Sequence, residues 1–360
     1  MLDHPSPPRP ALSTASLVAR LAAIGVVVAG LAAAFAYVNG TLDPQRLRPK
    51  TLVNALETNN GVHPGYRRNH AKGVCVAGYF QSSAEARAYS SAEVFSEAKT
   101  PLIGRFALPS GNPYAPDSSV PIRSFAVQFS QANGQQWRTG MNSMPVFPVG
   151  TPEAFYQLLK AGAPDPATGK PNPANMPAFF AAHPEAAPFL AWVKTAKPSA
   201  SYATETYNGI NAFYLVNAEG KRQAVRWAVE PQSQDAVGET TVDGADFLEK
   251  DLVQRLAAGP LRWQLNMTLA NPGDVLDDAS KPWPGPHTVL NAGTLVVQSS
   301  QPQADGDCRD INFDPLILPS GIQASNDPLL AARSAAYASS YLRRAGEVSP
   351  LHHAPQESKP

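Results

Sequence analysis

Cysteine is scarce in this chain of 360 residues: there are two, Cys75 and Cys308. That excludes a disulfide framework and a cysteine-rich metal site. Cys75 sits in an apolar run and reads as a core thiol, with a Cys75–Cys308 bridge as the alternative if the domain is exported. Charge is sparse too, at 16% of residues, and the 29 basic and 29 acidic side chains cancel. Without a basic excess there is no signal for nucleic acid, and without an acidic excess none for a solvating tail. No internal repeat is visible, so solenoid and propeller arrays are not indicated.

Proline, by contrast, is abundant: 36 of 360 residues, roughly twice the usual ~5%. The prolines are dispersed, which points to many ordered loops rather than one disordered block. Apolar residues make up 43% of the chain, enough for a large core.

One long uncharged run stands near the N-terminus, over residues 21–38. It approaches the ~20 apolar residues that span a bilayer and exceeds the ~7–15 of a signal-peptide core. It reads as a membrane anchor, with Ala34-Phe35-Ala36 leaving signal cleavage open. Arg9 and Arg20 precede the run, Arg46, Arg48 and Lys50 follow it, and no twin-arginine pair leads it. The charge bias that sets orientation is therefore weak, and export is the favoured direction. The expected organisation is a flexible lead over 1–20, an anchor or signal over 21–38, a linker over 39–50, one large domain over 51–345 and a polar tail over 346–360.

From residue 71 strands dominate. Val74–Phe80 is a short apolar run, and Ile122–Phe129 alternates with period two. Asn133-Gly134 marks a hairpin before Gln136–Thr139. Residues 213–216 and 223–229 read as a second hairpin, and 261–269 and 288–298 as two further strands. Helices are expected over 51–58, 84–97, 152–161, 178–182, 185–195, 244–258 and 327–345, with an irregular loop over 162–177. Asn326-Asp327-Pro328 supplies a cap and a first-turn proline for the last helix. Strands in hairpins with helices between and after them predict an α+β fold: an antiparallel barrel of about eight strands with helices packed on it.

Two segments carry the chemistry. Arg67-Arg68-Asn69-His70-Ala71-Lys72-Gly73 offers an imidazole whose ordinary pKa of about 6.5 suits proton transfer near neutrality. Arg333-Ser334-Ala335-Ala336-Tyr337 puts a guanidinium and a phenol at i and i+4, on one helix face.

Taken together, these segments resemble the haem catalase superfamily. Arg67-x-x-His70-Ala71-Lys72-Gly73 leading to Gly78-Tyr79-Phe80 is similar to that family's distal-histidine strand. Ile122–Phe129 followed by Asn142-Ser143-Met144-Pro145-Val146-Phe147 resembles the strand pair carrying its distal asparagine. Asp277–Pro284 is similar to its wrapping loop, and Asn326–Leu330 with Arg333, Tyr337 and Arg344 to its proximal helix. The likeness runs in order over about 60–345 and is greatest to the small catalase-related peroxidases, since little chain follows the proximal helix.

The resemblance implies a ferric b-type haem with Tyr337 as the axial ligand of its iron and Arg333 stabilising the phenolate. His70 would be the proton shuttle and Asn142 the amide that holds peroxide. Arg67, Arg105 and Arg344 would meet the haem propionates, while Phe147 and Phe155 would pack on the porphyrin. The implied substrates are hydrogen peroxide or an organic hydroperoxide together with a small organic electron donor. A true catalase and a non-catalytic haem-binding or sensing barrel are the alternatives. The family pattern is broken at Ala107, where a serine usually contacts the distal histidine. It is broken again at Asn69, where valine is usual, and at Asn211, read here as a position often held by histidine in a nicotinamide-nucleotide site. These departures favour peroxidase over dismutase turnover and argue against NADPH. The remaining expectations are a monomer or homodimer in the bacterial inner membrane with its catalytic domain in the periplasm, with Arg68 and Arg343 as surface charges.

Overall fold

A computed structural model describes residues 13–38, 47–232 and 244–347. The predicted lead (1–20), linker (39–50) and tail (346–360) lie largely outside these residues. The chain divides into two compact units after Arg48.

The first unit is described only as α1, Thr14–Val38, which starts seven residues before the predicted anchor. It is 25 residues long with a mean hydropathy of 2.3 over its most apolar window, and it is long and apolar enough to cross a membrane. Leu17, Ile24, Val27, Leu31 and Phe35 are all exposed on it.

The second unit is built on one antiparallel sheet. Its strands are β1 (Gly73–Ser82), β2 (Thr100–Ala107), β3 (Ser124–Ser130), β4 (Gln136–Asn142), β5 (Tyr207–Asn208), β6 (Phe213–Val216), β7 (Arg222–Pro231), β8 (Leu261–Leu269), β9 (Val289–Pro302) and β10 (Ile322–Ala324). The order is β10-β6-β7-β5-β4-β3-β2-β1-β9-β8, and β7 also pairs with β8. That pairing closes an eight-stranded barrel, β7-β5-β4-β3-β2-β1-β9-β8, and leaves β6 and β10 as a flap on β7. Closure removes the exposed edges that an open sheet of this size would present.

The barrel interior is aromatic. Phe106 stacks on Phe125 at 4.2 Å between centroids and on Tyr202 at 5.0 Å, and Phe129 stacks on Trp137 at 4.7 Å. Apart from Tyr202, which comes from the loop before β5, these rings come from inward positions of the alternating strands, the signal that made β3 and β8 legible. Strand β2 escapes sequence reading, because Pro101 and Gly104 interrupt its pattern. Pro101 is tolerated at the strand's start, and Gly104 is required by crowding: a Cβ there would come within 2.9 Å of Phe125 and 3.0 Å of Val76.

The helices are α2 (Pro49–Asn60), α3 (Pro152–Ala161), α4 (Asn175–Ala182), α5 (Ala187–Thr195), α6 (Phe247–Ala258) and α7 (Pro328–Glu347). The helix expected over 84–97 is two short 3₁₀ turns instead, Glu85–Ala88 and Glu93–Phe95. Serines break it up: Ser82, Ser83 and Ser90 accept from the backbone N–H groups of Ala84, Glu85 and Ala92. Such local bonds compete with helix propagation. Ala84 also sits at φ 68°, outside the helical region.

Helices α2 and α3 pack with α7. Arg68, expected at the surface, is buried and is the clasp between the first and last of these helices. Its guanidinium pairs with Glu57 of α2 at 2.6 Å and with Glu347 at the end of α7, while Arg343 pairs with Glu57 at 2.7 Å. Cys75 is not a free core thiol: it forms a disulfide with Cys308, with Cα atoms 5.3 Å apart, tying the 303–314 loop to β1.

Candidate active site

A cavity of about 490 Å³ lies between the barrel and the helical layer, within the range of small-molecule and cofactor sites. It brings together every residue singled out from the sequence. His70 and Asn142 line it from the barrel side, Phe147 and Phe155 from the loop before α3 and from α3 itself, Arg333 and Tyr337 from α7. Arg67, Arg105 and Arg344 line it as well.

His70 precedes β1 by three residues and adopts φ 55°, in the left-handed region that costs a side-chain-bearing residue roughly 1 kcal/mol. Asn69 offsets part of that cost, since its Oδ1 accepts from the His70 backbone N–H at 3.0 Å. Burial, then the positive charges of Arg105, Arg333 and Arg67, depress the imidazole pKa to about 3. The ring is therefore neutral across the physiological range. Its Nδ1 is buried without a hydrogen-bond partner among the described residues, and Ala107, which also lines the cavity, has no hydroxyl to offer.

Asn142 ends β4. Its side-chain Oδ1 accepts from Ser124 Oγ at 2.6 Å, and its backbone carbonyl accepts from Asn208 Nδ2 at 3.5 Å.

On α7, Arg333 Nη2 donates to Tyr337 Oη at 3.4 Å and to the Gly140 carbonyl at 3.2 Å. Its Nη1 donates to Asn211 Oδ1 at 2.6 Å, and Asn211 Nδ2 donates to Asp327 Oδ2 at 2.8 Å. Asp327 in turn caps α7 by accepting from the Leu329 N–H at 2.9 Å. A buried chain thus runs from the helix cap through Asn211 to the guanidinium beside the phenol. Asn211 is 2% exposed, and its side chain bridges Asp327 and Arg333.

The three remaining guanidiniums form an unusual group. Arg67 donates to the carbonyls of Cys308, Arg309 and Ile311 at 3.0, 3.1 and 2.9 Å. Arg105 donates to Gln303 Oε1 at 2.5 Å and to the Ala71 carbonyl at 3.2 Å, and Arg344 to the Arg309 carbonyl at 2.5 Å. Among the described residues none of the three makes an ion pair within 4.0 Å. Burial lowers the pKa of each; Arg67 is lowered further by Arg105 and Arg344, and Arg105 falls to about 10. Asp310 attracts Arg67 and Arg344 from beyond ion-pair distance, and cations largely withdrawn from water without a close counter-charge are costly. They suit an anionic ligand bearing carboxylates, which a guanidinium fork grips in bidentate fashion. A flat apolar body with carboxylates at one edge, as in haem, fits a cavity with Phe147 and Phe155 on its wall and this cluster at its rim.

Two positions that support the site escaped sequence reading. A Cβ on Gly73 would lie 2.6 Å from the Arg105 guanidinium and 2.3 Å from the Phe106 carbonyl, so glycine is what lets Arg105 lie across β1. Ser124 is silent in sequence because its role exists only across the strand pair.

The catalase family profile matches residues 40–350. A catalase-related peroxidase of Synechococcus elongatus is 37% identical over 337 residues, covering 93% of this chain and 95% of that protein. A catalase-related peroxidase of Mycolicibacterium paratuberculosis is 29% identical over 304 residues, covering 83% and 96%. In fold, the chain is similar to the crystal structure of a fungal catalase, with a TM-score of 0.69 and 20% identity over 80% of this chain and 60% of that one. With its closed barrel, its cavity and the matched sequence, the chain belongs to the catalase family.

Proposed function

We propose that this protein is a haem-dependent peroxidase that reduces hydrogen peroxide or organic hydroperoxides with electrons from a small organic donor. The observation that carries this reading is the meeting, in one cavity, of a neutral His70, the Arg333–Tyr337 pair and three guanidiniums that make no close ion pair among the described residues. Catalase-related peroxidases similar over nearly their whole length support it.

Tyr337 would hold the iron of a ferric b-type haem. Arg333, fixed by Asn211 and the Gly140 carbonyl, puts a positive charge beside the phenol oxygen. Arg67, Arg105 and Arg344 would hold the propionates. When bound, haem supplies the iron at which the peroxide is reduced and to which the donor returns electrons. The chain's part is to orient and to move protons. Asn142 holds the peroxide by hydrogen bonding without exchanging a proton. His70 accepts a proton from one peroxide oxygen and returns it to the oxygen that leaves as water or alcohol. Its neutrality leaves a ring lone pair free to accept, although a pKa of about 3 makes the imidazole a weak base.

Residues 51–345 would form the haem-binding domain. Helix α1 would anchor it, with that domain on the periplasmic side of a bacterial inner membrane. The Cys75–Cys308 disulfide supports export, since disulfides persist in oxidising compartments.

The test is peroxide-dependent oxidation of an organic dye by the haem-loaded protein, compared with His70→Ala. Loss of at least about a hundredfold in rate is expected for removal of a general acid–base group. Unchanged dye oxidation would point to a binding role, and vigorous oxygen release without donor would make the enzyme a catalase.

A further inference from the structure

Four residues lie in register across neighbouring barrel strands beneath the cavity. Gly73 pairs with Ala107, Ala107 with Ser124, and Ser124 with Asn142. Cross-strand partners project to the same face of a sheet, and Ala107, Ser124 and Asn142 of this row line the cavity. Only one member of the row carries a hydroxyl. Ala107 presents a methyl group, and the buried Nδ1 of His70 has no partner among the described residues. Ser124, 6% exposed and lining the cavity, gives its hydrogen to Asn142 Oδ1 at 2.6 Å.

A primary amide is a two-faced group. Its oxygen accepts and its nitrogen donates, and rotation about the last side-chain bond exchanges them. An amide that lines a cavity without a fixed partner can offer either face to a ligand. In this protein Oδ1 is already engaged by Ser124, and among the described residues Nδ2 has no hydrogen-bond acceptor. The backbone of Asn142 is also held, because Asn208 Nδ2 donates to the carbonyls of Asn142 and Ser143 at 3.5 and 3.3 Å. One rotation therefore remains, and in the structure the amide takes the orientation in which the Ser124 hydroxyl donates to Oδ1.

We propose that Ser124 is a positioning residue that locks the Asn142 amide with Oδ1 toward β3 and Nδ2 toward the cavity, so that the site meets its ligand with hydrogen-bond donors. The assignment rests on Asn142 being the peroxide-holding amide. It adds that the ordering hydroxyl serves the asparagine while the histidine ring lacks one. The ligand chemistry favoured is an acceptor oxygen or an acceptor-only anion. With the hydroxyl removed, the amide turns freely, and a carbonyl oxygen facing an anion repels it.

Fluoride binding to the haem-loaded full-length protein reads this directly, because fluoride accepts hydrogen bonds and donates none. The titration is followed by absorption in wild type, Ser124→Ala, Asn142→Ala and the double variant, with haem content and unfolding temperature as fold controls. Expected is a roughly fivefold weaker fluoride affinity for Ser124→Ala, the worth of one neutral hydrogen bond. In the Asn142→Ala background, Ser124→Ala should add less than about twofold, since coupled residues are non-additive. Wild-type affinity in Ser124→Ala, with Asn142→Ala weakened, overturns the proposal and leaves the role of Asn142 standing. Equal losses in both backgrounds also overturn it, because the hydroxyl would then meet the ligand itself. No loss in Asn142→Ala sinks the reading of Asn142 and this proposal with it.

Discussion

The depressed basicity of His70 has a consequence for stability that can be measured without substrate. In the folded haem-free protein the imidazole pKa is about 3, through burial first and the charges of Arg105, Arg333 and Arg67 second. In the unfolded chain it is about 6.5. Between these values the unfolded state binds the proton and the folded state does not, so stability rises with pH up to about 6.5 and is lost as pH falls below it. The full interval corresponds to about 5 kcal/mol at 1.36 kcal/mol per decade. At pH 5, where the unfolded histidine is almost fully protonated, the loss is about 2 kcal/mol. His70→Asn is the informative substitution, since asparagine tolerates the left-handed backbone at φ 55° and does not titrate. Thermal unfolding of the haem-free wild type and variant from pH 7.5 to 4.5 should therefore diverge. The variant gains relative to wild type by roughly 4 °C at pH 5, at ~2 °C per kcal/mol for a domain of this size. Parallel curves would show that His70 titrates normally and would refute the electrostatic picture of the cavity.

Other perturbations test the supports of the site. Gly73→Ala forces a methyl group into the Arg105 guanidinium; haem uptake should fall while the barrel's circular dichroism is kept, and unchanged uptake would remove Arg105 from the rim. Asn211→Leu strands Asp327 and the Arg333 Nη1 inside the protein, which should cost about 2–3 kcal/mol in denaturant unfolding and shift the haem absorption bands by releasing Arg333. Reduction of the Cys75–Cys308 bridge, which spans 233 residues of sequence, should destabilise by up to about 5 kcal/mol on the chain-entropy scale. It should also speed haem loss, because carbonyls of the tethered loop hold Arg67 and Arg344. A reductant without effect on either quantity would contradict this.

The barrel was legible in sequence where side chains alternate in size and polarity. Strands β3 and β8 show this, with β8 matching Leu261–Leu269 at both ends. Helix α7 announced itself through Asp327-Pro328, and the structure shows that same aspartate capping it. Strand β2 stayed hidden because its glycine answers to packing from Phe125, a residue distant in sequence. The helix expected over 84–97 failed because propensity ignores serine hydroxyls that capture backbone N–H groups. In the site, His70, Arg333 and Tyr337 stood out because their spacing carries the chemistry. What holds them did not. Asn211 reaches Arg333 across 122 residues of sequence, Ser124 reaches Asn142 only through strand register, and Cys75 finds Cys308 only once β1 and the 303–314 loop are adjacent. Arg68 was misjudged for the same reason, since its partners lie at opposite ends of the domain.

The central claim is that one porphyrin is held in this cavity with Tyr337 on its iron. The absorption spectrum of the purified full-length protein, reconstituted with ferric haem and compared with Tyr337→Phe, tests it most directly. The account predicts stoichiometric haem with a Soret band and charge-transfer bands of a tyrosinate-ligated ferric centre, the latter lost in the variant. A wild-type protein that takes up no haem, or one whose spectrum is unaltered by Tyr337→Phe, would contradict it.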